Sequence, residues 1–257
     1  MEIIDIAKEI AIACGEILKA GFNNILEIEE KTGPGDIVTD VDRRSETYAT
    51  KQIMTLRPDD GLLGEEGVSV ESKNGYMWII DPLDGTYNFA LGIPLFCVSI
   101  GVYYNNEPFV GVIYDPIHNE MYSAQRGKGA YLNNKKLEIK PYNGVSDAVL
   151  YLSWVKGSME RKDFNTKVQT LFEKTSHIRR LGSAAIGFAY LASNRIHGFV
   201  EVGLKPWDVA AAIVIIMEAG GTVTDFYGDK IDITQKSISI ITAGKELYPD
   251  LYEEINK

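Results

Sequence analysis

Cysteine is scarce: Cys14 and Cys97 are the two in 257 residues, each among apolar neighbours. Two such thiols read as buried and free, not as a disulfide framework. Histidine is as sparse, and His118, His177 and His197 stand far apart with no adjoining cysteine, which argues against a zinc site. No apolar run approaches the roughly 18 to 20 residues of a membrane helix. Met1-Glu2-Ile3-Ile4-Asp5 carries acid where a secretory signal carries base, so the expectation is a soluble cytoplasmic protein without membrane association. Basic runs are missing too. With 36 acids against 26 bases the net charge is −10, a balance that repels nucleic acid and anionic lipid, and no nucleic-acid partner is expected. Neither Gly-x4-Gly-Lys-Ser/Thr nor Gly-x-Ser-x-Gly occurs, which sets aside a nucleoside triphosphatase of the phosphate-loop type. Internal repeats, low-complexity tracts and long linkers are absent.

What is present is the composition of a folded chain, 45% hydrophobic, 10% aromatic and 24% charged, enough for one large domain or two small ones. Ile3, Ile6, Ala7, Ile10, Ala13, Cys14 and Ile17 recur at helical spacing, so an amphipathic helix spans 3–22. Thr32-Gly33-Pro34-Gly35 reads as a turn. A second helix starts near Asp42 and ends at Arg57-Pro58. Tyr76–Ile80 reads as a buried strand that stops at Asp81-Pro82. Cys97–Tyr104 and Pro108–Tyr114 form strands about an Asn105-Asn106 turn, followed by Glu120–Gln125 and Ala130–Leu132 with a turn at Asn133-Asn134. The second half alternates: strand 148–152, helix 162–174, strand 177–181, helix 184–193, strand 196–202, helix 208–219, strands 221–225 and 238–242, and helix 245–256. Tyr103, Tyr104 and Tyr151 pack against sheets. Hairpins dominate the middle, so the class is α+β or layered α/β, not a regular βαβ array.

Four segments can carry chemistry. Asp81-Pro82-Leu83-Asp84-Gly85-Thr86 follows directly on the buried strand, so its carboxylates emerge at a strand end. Asp81 and Asp84, three apart around Pro82, can converge on one point and suit a hard cation such as Mg²⁺. Gly85 permits close backbone approach, and the N–H groups after it can cradle a phosphate. A plain Asp-Pro, Asp-Gly surface turn is the other reading of this segment. Gly64-Glu65-Glu66-Gly67 offers metal ligands or solvated loop acids. In Asp36-Ile37-Val38-Thr39-Asp40-Val41-Asp42, Asp40 or Asp42 can cap the following helix. Its Asp-x-Asp lacks the following Thr and the preceding apolar run of phosphatases that form an aspartyl phosphate. Asp208, after Trp207, also resembles an N-cap, yet the helix it opens is apolar all round and therefore buried. A buried carboxylate needs a partner, and a metal ion is one. An acidic protein that handles phosphate needs such cations to reverse its own field.

Taken together, these segments resemble the inositol monophosphatase family of Mg²⁺-dependent, typically lithium-sensitive phosphatases. Asp81-Pro-Leu-Asp-Gly-Thr86 with Asn88-Phe89 is similar to the first family signature, and Trp207-Asp208 through Gly221 to the second. Asp36-Ile-Val-Thr-x-x-Asp42 and Gly64-Glu-Glu66 follow in order and spacing, so the resemblance covers nearly the whole chain. It implies one catalytic domain over 1–257, a layered αβαβα sandwich of the inositol monophosphatase / fructose-1,6-bisphosphatase type, with halves about 1–140 and 141–257. It implies two to three Mg²⁺ held by Glu65, Asp81, the carbonyl of Leu83, Asp84 and Asp208. Thr86, oriented by Asp42, would hold the attacking water, with direct in-line attack and no phospho-enzyme. Asp84, Gly85, Thr86, Gly182, Ser183, Ala184 and Glu201 would meet the substrate, a small phosphorylated polyol or sugar. Members are commonly homodimers, sometimes homotetramers, and loop 31–36 is where lithium sensitivity varies.

A second phosphate on the substrate calls for cations. Arg180, just before Gly182-Ser183-Ala184, and Lys205, three residues before Asp208, are the candidates. Tyr87 and the compact chain resemble the archaeal-type bifunctional branch, so inositol 1-phosphate and fructose 1,6-bisphosphate are the expected substrates. The alternatives are a 3′(2′),5′-bisphosphate nucleotidase and a non-catalytic binding protein on the same fold; the first usually needs a longer chain, and the second would usually have lost a carboxylate or Thr86.

Overall fold

Alternation along the strands dictates the layering. On one strand Trp78 and Ile80 face one core while Ile79 faces another, and on the next Val98, Ile100 and Val102 oppose Cys97 and Tyr103. A sheet apolar on both faces must be covered on both. In the computed structural model, which describes residues 1–22, 28–33, 36–154, 161–175 and 177–257, this produces five layers.

Helices α1 (Ile3–Gly21) and α2 (Asp40–Leu56) form the first layer, joined by the hairpin β1 (Ile28–Gly33) and β2 (Asp36–Thr39). The second is an eight-stranded sheet: β3 (Gly61–Gly64), β4 (Ser69–Val70), β5 (Tyr76–Asp84), β6 (Cys97–Tyr104), β7 (Glu107–Asp115), β8 (Glu120–Gln125), β9 (Gly129–Leu132) and β10 (Lys135–Leu137), in the order β10-β9-β8-β7-β6-β5-β3-β4. The short helix α3 (Thr86–Ala90) leaves the end of β5. A five-stranded sheet follows, built from β11 (Leu150–Trp154), β12 (Ile178–Arg179), β13 (Gly198–Leu204), β14 (Gly221–Thr224) and β15 (Ile238–Gly244) in the order β12-β11-β13-β15-β14. Helices α5 (Ala184–Ala192) and α6 (Pro206–Glu218) lie between the two sheets, and α4 (Arg161–Lys174) and α7 (Tyr248–Ile255) cover the outer face of the second. The αβαβα order that the resemblance implied is the one observed.

Helix α6 sits directly on the large sheet because two glycines make room for it. Gly101 and Gly111 pair across β6 and β7. A Cβ at Gly101 would meet the Ala210 Cβ, and one at Gly111 would strike the Ala211 carbonyl. Ala210, Ala211 and Ala212 are fully buried. That backbone-to-backbone approach brings the start of α6 over the end of β5.

Several boundaries differ from the sequence expectation. Helix α2 begins at Asp40, capped by Thr39, with Asp42 one turn in. Its Asp residues had been the expected caps, but the Thr39 hydroxyl accepts from the Val41 and Asp42 N–H groups. Likewise α6 begins at Pro206, and Asp208 is its third residue, accepting from the Lys205 N–H at 2.7 Å. β5 continues past Asp81-Pro82 to Asp84, because a register shift lets Asp84 pair with Cys97. β11 lies two residues later than expected, and the strand placed at 177–181 shrinks to β12. β1, β2, β4 and β10 were not anticipated as strands. The turn expected at 32–35 and the lithium-linked loop 31–36 fall at residues 34–35 outside the described residues. Both cysteines are free and buried, as expected, and no helix among the described residues is long and apolar enough to cross a membrane.

Candidate active site

The end of β5 is where the acids gather. Asp81 and Asp84 belong to that strand, and Asp208 arrives from the first turn of α6. Each offers one carboxylate oxygen, and these oxygens lie within 4.8 Å of one another. Asp81 and Asp84 are buried and Asp208 is half-buried. Glu65, just past the end of β3, stands against Asp81 and accepts a backbone place from the sheet, its N–H donating to the Ile80 carbonyl at 3.3 Å. Thus β3 and β5, paired in parallel, bring Glu65 and Asp81 side by side, and the glycine-permitted seat of α6 brings Asp208.

Electrostatics identify what such a cluster wants. The Asp81 carboxyl lies well above the usual carboxylate range, first through burial and then through the charges of Glu65, Asp84 and Asp208. Asp208 is raised well above its ordinary value by burial and by Asp84 and Glu65. Asp84 is raised by burial although Ser183, Ala185 and Ala184 donate to it. Carboxylates packed against one another resist ionisation until a cation joins them. All donors here are oxygen, the chemistry of a hard divalent ion, so Asp81, Asp84, Asp208 and Glu65 could hold one or more metal ions.

Beside the cluster Thr86 opens α3. Its hydroxyl lies 3.0 Å from Asp42 Oδ1 and 3.0 Å from the Leu83 carbonyl. Asp42 is fully buried. Its other oxygen accepts from both the N–H and the hydroxyl of Thr39, and burial raises its pKa to about 6. Gly85 has φ +95°, and a Cβ there would lie 2.9 Å from the Leu95 carbonyl; only glycine fits.

A cavity of about 570 Å³ opens from the acids, lined by Asp84, Tyr87, Ser153, Arg180, Glu201 and Asp208 among others. Glu201 is buried on β13, its Oε2 without a hydrogen-bond partner among the described residues, and burial drives its pKa to about 8 against the opposing hydrogen bond from Ser153. Arg180 lies at the exposed rim, 4.5 Å over the Trp154 ring, and donates to Ser153 Oγ and the Trp154 carbonyl, each at 3.3 Å.

The structure therefore brings together Asp42, Glu65, Asp81, Leu83, Asp84, Gly85, Thr86, Arg180, Gly182, Ser183, Ala184, Glu201 and Asp208. It does not bring in Lys205. That ammonium donates to the Lys236 carbonyl at 3.0 Å, and Lys205 does not line the cavity; the turn into α6 points the two side chains of 205 and 208 to different neighbours. Gly182, Ser183 and Ala184, expected against substrate, line the cavity, and Ser183 and Ala184 also donate to Asp84.

Two contributors escaped the sequence reading. Glu46, buried on α2, accepts from the N–H groups of Glu66 at 2.8 Å and Val68 at 3.2 Å, and so shapes the turn that carries Glu65. Gly64 leaves room beside it, since a Cβ there would displace the Glu46 carboxylate or the Val68 side chain. Asn88 donates to the Leu95 and Leu181 carbonyls, tying the Asp84 turn to the 181–184 loop. Both act across long sequence separations and left no local signal, except that Asn88 stands in the quoted signature.

A layered α+β sandwich with buried acids at the junction of its two sheets is the class that this fold and site define. The sequence profile described as the inositol monophosphatase family matches residues 1–257, and the chain belongs to that family. A Vibrio cholerae protein named Nus factor SuhB is 40% identical over 228 residues, 88% of this chain and 85% of the relative. An inositol-1-monophosphatase of Mesorhizobium japonicum is 36% identical over 95% of this chain and 92% of its own. A Thermotoga maritima protein named fructose-1,6-bisphosphatase/inositol-1-monophosphatase is 34% identical over 92% and 90%. Among solved structures, the extragenic suppressor protein suhB of Bartonella henselae superposes with a TM-score of 0.92 at 31% identity, covering 99% of this chain and 98% of that one.

Proposed function

We propose that this protein is a Mg²⁺-dependent phosphomonoesterase that hydrolyses inositol 1-phosphate and fructose 1,6-bisphosphate. The observation that carries the reading is the convergence of Asp81, Asp84 and Asp208 within 4.8 Å, with Glu65 against them and the Thr86–Asp42 pair alongside. Glu65, Asp81, the Leu83 carbonyl, Asp84 and Asp208 would hold two to three Mg²⁺. Bound divalent cations lower the pKa of a water and stabilise charge on a leaving oxygen.

The chain's own groups supply the rest. Thr86 donates its one hydrogen bond to Asp42 or to the Leu83 carbonyl, so its oxygen accepts from a water oriented for in-line attack. The water oxygen would bond to phosphorus as the ester P–O bond breaks, one water proton passing to the leaving oxygen and the other staying on the phosphate. An ionised Asp42 is the acceptor that makes this possible. The backbone N–H groups of Gly85 and Thr86 face the phosphate. Glu201, mostly protonated at neutral pH with a pKa of about 8, offers a donor as well as an acceptor to a substrate hydroxyl. Arg180 at the rim would receive the second phosphate of a bisphosphate. Lithium inhibition, a homodimeric or homotetrameric assembly and a single catalytic domain over 1–257 belong to the same reading and rest on the family resemblance.

The test is phosphate release from a panel of sugar, polyol and nucleotide monoesters with and without Mg²⁺. Both named substrates should turn over only with the metal, and Arg180→Ala should depress kcat/KM for the bisphosphate more than for inositol 1-phosphate. Failure to cleave fructose 1,6-bisphosphate removes the dual assignment, and failure on every monoester removes the enzyme. A second reading, a partner-binding role on the same fold, is favoured by the relative named Nus factor at 40% identity. Asp84→Asn would abolish hydrolysis and leave such binding intact.

A further inference from the structure

We infer that Ser183, although it lines the cavity, is a positioning residue for Asp84 whose hydroxyl proton is not available to substrate. The inference rests on the metal-centre reading above. Ser183 is buried, and its hydroxyl is committed on both sides. It donates its one proton to Asp84 Oδ2 and accepts from the Ile186 N–H as the cap of α5. A hydroxyl has one proton to give, so none remains for a ligand.

The same carboxylate oxygen also accepts from the Ala185 N–H at 2.8 Å and faces the Cys97 thiol at 3.7 Å. Three donors on Oδ2 fill its acceptor capacity. Among the described residues Oδ1 receives only the Ala184 N–H, at 3.3 Å, which leaves it the oxygen with capacity for a cation. Ser183 and the first turn of α5 thus lock the Asp84 rotamer and decide which oxygen faces Asp81 and Asp208. Asp84 belongs to the first sheet and Ser183 to a helix between the sheets, so the lock also joins the two halves at the centre. Groups that hold a ligand from behind set metal affinity as much as the ligand does.

Mn²⁺ titration of the substrate-free protein, followed by the loss of the free-ion electron paramagnetic resonance signal, tests this directly. Ser183→Ala should weaken Mn²⁺ binding by roughly 10- to 100-fold, and Ser183→Thr, which keeps the hydroxyl, should restore it. At saturating Mg²⁺ the KM of Ser183→Ala for inositol 1-phosphate should stay within about twofold of the parent. If Ser183→Ala does not fold, Ser183→Gly replaces it, because glycine caps a helix nearly as well without a hydroxyl. Unchanged Mn²⁺ affinity overturns the inference, whether or not KM rises; a raised KM with unchanged affinity would return Ser183 to the substrate. A parent protein that binds no Mn²⁺ would instead sink the metal-centre reading itself.

Discussion

Asp42 shows how a single side chain can be both buried and poised. Three donors, two from Thr39 and one from Thr86, meet its two oxygens, and burial still lifts its pKa to about 6. The ionised form is the stronger acceptor for the Thr86 hydroxyl. Turnover should therefore fall as pH drops through that value, and the limb should move lower when cations are bound, since positive charge favours the carboxylate. Asp42→Asn should remove the limb and lower kcat by about 100-fold or more, within the usual range for a lost acid–base group. A pH–rate profile that keeps its acid limb in the variant would exclude Asp42 from the role. At this scale the sequence was informative where chemistry is local: Asp81, Asp84 and Thr86 share one short turn. It misled where one residue's environment depends on a distant segment. Lys205 looked like a pocket cation by spacing, yet its amine finds the Lys236 carbonyl instead.

Elements were legible in kind and less so in extent. The period of α1 and the alternation of β6 to β8 are written in their apolar positions. The start of α2 was misplaced because Asp and Thr are both good caps, and only the hydrogen bonds to Thr39 separate them. The end of β5 was misplaced because Pro82 suggests termination, while a register shift carries the strand through it. What composition could not disclose is why α6 sits where it does. The pairing of Gly101 with Gly111 and their contact with Ala210 and Ala211 arise only after strand and helix meet. Gly111→Ala should push α6 off the sheet. Overpacking of this kind costs about 1 to 3 kcal/mol, and urea unfolding should show it, together with weaker divalent-ion binding as Asp208 shifts. Full retention of both would mean the helix can yield without moving Asp208.

At the scale of the molecule, the active centre is a place where stability is surrendered. Asp42, Asp81, Asp84, Glu201 and Asp208 all have pKa values raised by the fold. In the metal-free protein the native state therefore holds more protons than the unfolded chain above about pH 4. Stability then declines as pH rises, through about 6 for Asp42 and about 8 for Glu201, the sign expected when the native state is the more protonated. The Asp42 shift, from 3.8 to about 6, corresponds to a contribution on the order of 3 kcal/mol. Melting of the chelated protein should fall by several degrees between pH 5 and about pH 8. Mg²⁺ at about 100 times its Kd should return about 2.7 kcal/mol by binding only the native state. A melting curve indifferent to both pH and Mg²⁺ would show that the acids are not held together as described.

The number of layers came with the family resemblance; by itself the sequence determined which faces must be buried, and it supplied acids enough for a hard-cation centre. Those properties follow from local periodicity and side-chain chemistry, which a linear order preserves. The resemblance grouped Asp208 with Asp81 and Asp84; tertiary structure alone decided how α6 carries it there, that Glu46 shapes the turn of Glu65, and that Ser183 is spent on Asp84. Each depends on close approach between segments distant in the chain, which is set by packing across the two sheets and has no counterpart in neighbouring residues.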